Sequence, residues 1–370
     1  LGIPVTNNMF DLARLKILQN ALCVVFQLGD KEELPMSDID IYQQLAADLG
    51  FPESKMMPKM FAFIANADEA KFMLAASPPA TLAEIAEKTG FSLEKAASMV
   101  DPLFKKGLLY KSKKPDATRY YKVRHFIQFH DATVLTPGID QAYLDLWKAF
   151  EATEQKEFQD QIKDHDFPQG MRVVPVNVSI ETENQVMAFE DVKTMVEEAK
   201  AVAVTNCSCR VIHGVTDVPL EVCMQLNKAA DYAVERGTGR ALTKEEAIDM
   251  LKMCEEEGLV HTVENKHGLG HVICNCDAVA CGNWGHDRAY VKKFTAPSRF
   301  KARVEADLCT ACEICADRCF FDAVSMEGTD DTAIIDPDKC MGCGICVPTC
   351  PVEAIAYEEV RQKEFSPGFP

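Results

Sequence analysis

The chain has 370 residues, with 57 acidic against 39 basic side chains and a formal charge of −18. That length is enough for two or three domains with their own cores, and that charge argues against a nucleic-acid or anionic-membrane binder while favouring a basic protein partner. Sixteen cysteines, all but Cys23 between Cys207 and Cys350, read in so large a chain as metal ligands rather than as a disulfide framework.

The longest early apolar run, ALCVVFQL at 21–28, is far short of a membrane span and follows Arg14 and Lys16. With no small-residue cleavage pattern after it, a cytoplasmic protein without a transmembrane helix is expected. Helical periods (LARLKILQNALCVVF, DIDIYQQLAADLG, KMFAFIANADEAKFMLAA) broken at Gly29, Pro35 and Gly50 to Pro52 make residues 1–78 a helical region. From Thr81 a capping box opens a short helix, Gly90 breaks it, SLEKAASMVDPLFKKG forms a second, and GLLYK and RYYKVRHF form a hairpin. This order predicts a winged-helix-like module over 79–127. Residues 128–170 (FEATEQKEFQDQIKDHD within them) read as a helical linker whose charges are solvated.

An α+β cysteine-rich domain is expected over 171–297. RVVPVNVSI reads as a strand, EDVKTMVEEAK as a helix, AVAVTNCSCR as a strand and TKEEAIDMLKMCEEEG as a capped helix, with GLVHTVEN and GHVICNC as a hairpin turning at KHGLG. The remainder, 298–370, holds two cysteine runs and ends in the tail KEFSPGFP. The fold class is thus α+β multidomain.

The runs are CTACEICADRCF from Cys309 and CMGCGICVPTCP from Cys340, each with cysteines at gaps of two, two and three residues. This is the bacterial-type two-cluster ferredoxin spacing, in which three thiolates wrap one [4Fe-4S] cluster and the fourth ligates the other. Cluster one would take Cys309, Cys312, Cys315 and Cys350; cluster two would take Cys340, Cys343, Cys346 and Cys319. Gly342 and Gly344 suit close backbone approach to inorganic sulfide, and Pro351 follows the last cysteine, whereas Phe320 stands where proline commonly follows the fourth. Residues 301–370 carry fourteen Asp and Glu against six Lys and Arg, a sign suited to basic patches on a redox partner.

A second group comprises Cys207 and Cys209 (NCSCR) and Cys274 and Cys276 (HVICNC), each pair two apart on an expected strand and so on one face. If those strands are neighbours, four thiolates converge, the count for a third iron–sulfur cluster or a zinc site; redox-active or free thiols are the other reading. Cys223 and Cys281 are alternative ligands. His213, His261, His267 and His271 flank the group and read as ordinary hydrogen-bonding residues, and Arg210 as a second-layer donor to sulfur or a surface ion pair. Cys23 and Cys254 lie in helical patterns among apolar neighbours and read as buried hydrophobes.

Residues 79–126 carry ten Lys and Arg against five Asp and Glu. With Lys113 and Lys114 on the expected wing, that permits an iron–sulfur redox-sensing transcriptional regulator that binds DNA. Asp101 and Pro102 in the second helix, and the scarcity there of side chains suited to base edges, favour protein docking instead.

The stretches RVVPVNVSI, NCSCR, GRALTKEEAIDMLKMCEEEGLVH, VICNCD, APSRFKARVEADLC and the two cysteine runs resemble a family of anaerobe 4Fe-4S dicluster ferredoxin-like proteins, over roughly residues 60 to 360. The resemblance implies an electron-transfer component of an anaerobic oxidoreductase complex working beside a flavin or nicotinamide oxidoreductase. Relatives carry more cysteines after the CNC tripeptide, where this chain has Asp277, Ala278, Val279 and Ala280 before Cys281. The expected function is relay of single low-potential electrons through two [4Fe-4S] clusters, or three where the central cysteines hold a cluster rather than zinc. The rivals are the regulator and a reductase with a substrate site at the central group. No glycine-rich nucleotide fingerprint follows a strand, and GTGR at Gly237 to Arg240 is too short to count as one.

Overall fold

The computed structural model describes residues 36–162, 169–176, 191–266, 270–284, 291–326 and 332–361. Cys23, His267, the breaks at Gly29 and Pro35, most of the KHGLG turn, the end of RVVPVNVSI and the tail from 362 lie outside the described residues.

The N-terminal part is built from short helices: α1 (Met36–Asp48), α2 (Met57–Ile64), α3 (Ala67–Ala75), α4 (Leu82–Thr89) and α5 (Leu93–Lys105). Asn66 with Glu69, and Thr81 with Glu84, form reciprocal capping boxes that satisfy amides no helical carbonyl can reach. Strands β1 (Leu109–Lys113) and β2 (Thr118–Lys122) then pair antiparallel, and Ala80 bridges to Tyr120. Helices α6 (Phe126–Val134), α7 (Gln141–Phe150) and α8 (Lys156–Ile162) follow, α7 and α8 being joined by one π-helical turn at Glu151–Gln155.

The stretch expected as a solvated linker instead supplies this unit's core. Phe129, Tyr143, Trp147 and Phe150 of α6 and α7 are all 0% exposed and share one apolar cluster with Phe61 and Phe72 of α2 and α3. Its charges are engaged too. The Glu154 carboxylate accepts the amides of Lys55 (3.0 Å) and Met56 (3.1 Å) and the Ser54 hydroxyl, capping the approach to α2 across a hundred residues of chain. Glu154→Ala is expected to cost about 1–2 kcal/mol, as other lost caps do, read as a lowered urea midpoint with Trp147 fluorescence as the reporter.

The central part is a seven-stranded sheet in the order β6-β4-β5-β8-β7-β3-β9. Its strands are β3 (Met171–Val173), β4 (Val202–Asn206), β5 (Glu221–Leu226), β6 (Gly239–Leu242), β7 (Val260–Glu264), β8 (Val272–Cys276) and β9 (Thr295–Ala296); all pairings are antiparallel except β3 with β9. Helices α9 (Val192–Glu198) and α12 (Lys244–Glu256) place Val192, Val196, Leu251 and Cys254 in one core with β4 and β5 residues. On the other side, α10 (Ser208–His213) and α11 (Lys228–Arg236) meet the N-terminal part: Ile212 and Tyr232 lie in its core. Arg236 donates to the carbonyls of Phe104 (2.8 Å) and Leu109 (3.2 Å) and lies over the Tyr110 ring.

In the C-terminal part the backbone turns and strand pairings recur 31 residues apart. Left-handed backbone recurs at Ala311 and Gly342, Glu313 and Gly344, and Asp322 and Glu353. Two antiparallel ladders exchange under the same shift: β10 (Phe300–Val304) pairs with β13 (Ile355–Glu359), and β11 (Val324–Ser325) with β12 (Ile334–Ile335). The crossing bonds Glu305 N–H to Ala354 O (2.7 Å) and Asp336 N–H to Ala323 O (2.7 Å) are likewise a pair. Two halves are thus wound through one another about a pseudo-twofold axis.

Candidate metal centres

Pseudo-symmetry brings the fourth cysteine of each run to the other run. Cys309, Cys312, Cys315 and Cys350 line a single cavity, walled by Ile314, Val352 and Ile355. In the other half Cys343 is pushed up to about 12 by burial, with the charges of Cys319 and Cys340 adding to it. Cys346 is raised by burial and by Cys343, Cys319 and Cys340 in the same way. The Ala323 amide donates to the Cys319 sulfur and the Ala354 amide to the Cys350 sulfur, each at 3.2 Å. Such N–H···S bonds are what metal-bound thiolates require of their surroundings.

The halves differ in exposure. Cys312 is exposed, whereas Cys340, Met341 and Ile345 are 8%, 1% and 2% exposed. The second run is docked on the central sheet: Val176 N–H donates to Cys343 O (2.9 Å), and Ser298 takes Met341 O through its amide (3.0 Å) and Gly342 O through its hydroxyl (2.7 Å). Gly342 and Gly344, read from sequence as making room for sulfide, have protein against them. A Cβ on Gly342 would meet Phe300 O and the Ser298 hydroxyl, and one on Gly344 would meet the Tyr357 ring.

The central cysteines are arranged differently from the sequence expectation. Cys207 and Cys209 are not on a strand: the ladder shifts register between Thr205 and Asn206, β4 ends there, and Cys207 becomes the N-cap of α10 with Cys209 inside it. Nor do the two CxC strands neighbour each other, because β5 lies between β4 and β8 and carries Cys223. Cys274 and Cys276 are on β8. Cys281, just beyond it, lies against Cys209 and Cys276, as Cys223 does against Cys274.

The six thiols make a ring. Cys207 hydrogen-bonds with Cys209, Cys209 with Cys281, Cys281 with Cys276, Cys276 with Cys274 and Cys274 with Cys223, whose charge acts back on Cys207. Their shared protons hold Cys209, first through Cys207, and Cys276, first through Cys274, well below the usual thiol range. Cys207, Cys274 and Cys281 are held above it by those same contacts and by burial. Among the described residues no three His, Cys, Asp or Glu side chains close around one single-ion position.

Arg210 is not a surface ion pair. Fully buried, it donates from Nε to Asp277 (2.8 Å), from Nη2 to Asn275 O (2.7 Å) and from Nη1 to Pro219 O. Asp277 in turn accepts the amides of Val279 (2.7 Å) and Ala280 (2.8 Å), and its carbonyl accepts the Trp284 indole (2.9 Å). One ion pair therefore ties together the segments that carry Cys209, Cys274, Cys276 and Cys281.

His213 pairs with Glu151 (2.7 Å), His261 sits between Asn275 (2.6 Å) and Glu255 (3.3 Å), and His271 is bound through its backbone. The histidine at the ring is His130, which the sequence reading passed over. Burial opposes its charge, but the Asp131 hydrogen bond (2.8 Å) and the charges of Cys209, Asp131 and Glu151 push it up to about 9. Nothing local in FIQFHDATV announces this, since Asp131 is held by Ser208 (2.7 Å) from beside Cys209 in a different element.

Cys254 has no place in the ring and lies in apolar core, pushed up to about 12 chiefly by burial. Phe320, the departure from the usual proline, stacks edge-on against Trp284 at 5.1 Å, and Phe321 does so at 5.4 Å. These rings share one cluster with Cys274, Cys276 and Cys281 of the central group and with Cys319 and Cys343 of the two runs.

Residues 333–356 match the family described as Fer4, 4Fe-4S binding domain. No curated protein and no solved structure matches the chain. The chain is therefore mixed α/β with a 4Fe-4S binding domain near its C-terminus, a module of iron–sulfur electron transfer. Among the described residues no helix is long and apolar enough to cross a membrane.

Proposed function

We propose that the chain is an electron-transfer protein of an anaerobic oxidoreductase complex, with two [4Fe-4S] clusters in its C-terminal part and a further metal centre at the central cysteines. The observation that carries this reading is the grouping of sulfurs across the pseudo-twofold. Cys309, Cys312 and Cys315 share a cavity with Cys350, and Cys340, Cys343 and Cys346 act on one another together with Cys319. These are two sets of four soft donors, the number a cubane needs. Bound there, each cluster would take up and release one electron at a time.

The chain's own residues give the two sites different roles. Cys312 is exposed beside Leu308 and Ile314, 54% and 42% exposed, and the acidic Glu313 and Asp317 stand close by. A redox partner with basic residues around an apolar contact fits that end. Cys319 and Cys343 instead face inward, to the aromatic layer and the central thiols, so a flavin or nicotinamide oxidoreductase would meet the wire at its cluster-one end.

Residues 79–127 are proposed as a winged-helix-like module that docks protein. Of its ten basic residues, six are committed within the chain: Lys95 to Asp68, Lys105 to Asp101, Lys106 to Glu69, Lys111 to Glu235, Arg119 to Asp116 and Lys122 to Asp48. Little is left to neutralise phosphates.

The test is iron and acid-labile sulfide per chain on anaerobically purified protein, with the EPR spectrum after dithionite reduction. At least about eight irons are expected from the two cubanes alone, with metal beyond that from the central group. About four irons or fewer would sink the two-cluster reading.

A further inference from the structure

The six central thiols are more than either usual site can use. A cubane presents four irons to four thiolates, and a zinc ion takes four ligands. The two in excess are not filler. The thiols follow one another around a ring, hydrogen-bonded from Cys207 through Cys209, Cys281, Cys276 and Cys274 to Cys223, with charge alone linking Cys223 back to Cys207, so no pair of them stands apart from the other four. Polar groups meet sulfurs on three different elements: Gln225 Nε2 donates to Cys223 (3.2 Å), the Thr262 hydroxyl shares a hydrogen bond with Cys276 (3.4 Å) and the Gly282 amide donates to Cys209. The buried Arg210 charge acts on Cys207 and Cys276. Cys254, 0% exposed and set among Leu251 and Leu259 in apolar core, shows what a packing cysteine looks like in this fold.

We propose that all six cysteines, Cys207, Cys209, Cys223, Cys274, Cys276 and Cys281, ligate one polynuclear metal–thiolate centre that holds more metal than a four-cysteine site. This rests on the reading of the central group as a metal centre. Each thiol gives up its proton to solvent as it binds metal, and two or more cations divide among them a thiolate charge that a single buried ion could not balance. The chemistry fits either an iron–sulfide cluster larger than one cubane or a pair of zinc ions sharing bridging thiolates.

Native mass spectrometry of the anaerobically purified full chain, with metal and sulfide analysis, gives the first test. More than about twelve irons, or about eight irons with two zincs, is the expected result; the first outcome identifies an iron–sulfide centre and the second a zinc pair. About twelve irons without zinc, or about eight with one zinc, would overturn the proposal in favour of four ligands. About eight irons and no other metal would remove the central metal centre itself, leaving the two ferredoxin clusters intact.

The second test is a set of single serine variants at the six positions, with Cys254→Ser as the control. Each of the six is expected to lose central metal while the EPR signals of the reduced ferredoxin clusters report a folded chain, and Cys254→Ser is expected to keep it. Two of the six variants retaining the full wild-type complement would show that four thiols suffice.

Discussion

Gly342→Ala is expected to remove about four irons per chain, whereas Ala311→Gly at the pseudo-equivalent position leaves the iron content unchanged. Gly342 has φ +68°, where a side chain costs about 1–2 kcal/mol, but strain is the smaller part of the effect. The added Cβ would meet Phe300 O and the Ser298 hydroxyl and lie 2.9 Å from the Phe300 carbonyl carbon. None of these is the free end of a flexible chain. Phe300 is the first residue of β10, paired with Glu359, and Ser298 holds the second cysteine run through Gly342 O and Met341 O. Relief therefore requires the run itself to move, and with it Cys340 and Cys343. The first run takes the same left-handed turn at Ala311, φ +55°, with a Cβ already present. Iron and sulfide analysis of the two variants, side by side, separates contact from backbone conformation. Full iron in Gly342→Ala would show that the loop can retreat from β10 without losing its metal.

That asymmetry shows where sequence reading succeeds and where it stops. The two cysteine runs are legible because four thiols for one small cluster must come from short gaps and one crossing residue, and short gaps are written in the chain. Glycine in such a run was equally legible as a need for space; what fills the space was not, because Phe300 and Tyr357 arrive from strands outside the run. The central ring defeats local reading for the same reason. Its six sulfurs come from the α10 cap and turn, from β5, from β8 and from the loop after it. The alternation that puts Cys207 and Cys209 on one face of a strand assumes the strand continues, and here it ends at a register shift. Phe320 read only as a departure from the usual proline, yet its ring packs on Trp284 in one cluster with cysteines of both groups. The basic stretch at 79–126 was legible as charge but not as pairing: charge counts see Lys106 and Lys111, but not Glu69 and Glu235 lying against them.

Arg210→Met is expected to abolish metal loading at the central cysteines while both ferredoxin signals survive. The variant keeps the volume of the side chain and removes its charge, which leaves Asp277, itself only 6% exposed, without its cation. Stranding one member of a buried pair costs about 3–5 kcal/mol. The loss falls on the segment whose path Asp277 sets by accepting the Val279 and Ala280 amides, and that path delivers Cys281 to the ring. Adding Asp277→Asn should discriminate placement from bulk stability. The double variant no longer buries a lone carboxylate, so its urea midpoint recovers part of the way toward wild type. Its central metal does not return, because the guanidinium bonds to Asn275 O and Pro219 O that tie β8 to the α10 segment are still missing. Recovery of metal along with stability would mean that the pair acts only through the fold. Stability regained without metal would identify Arg210 as the residue that positions the thiols.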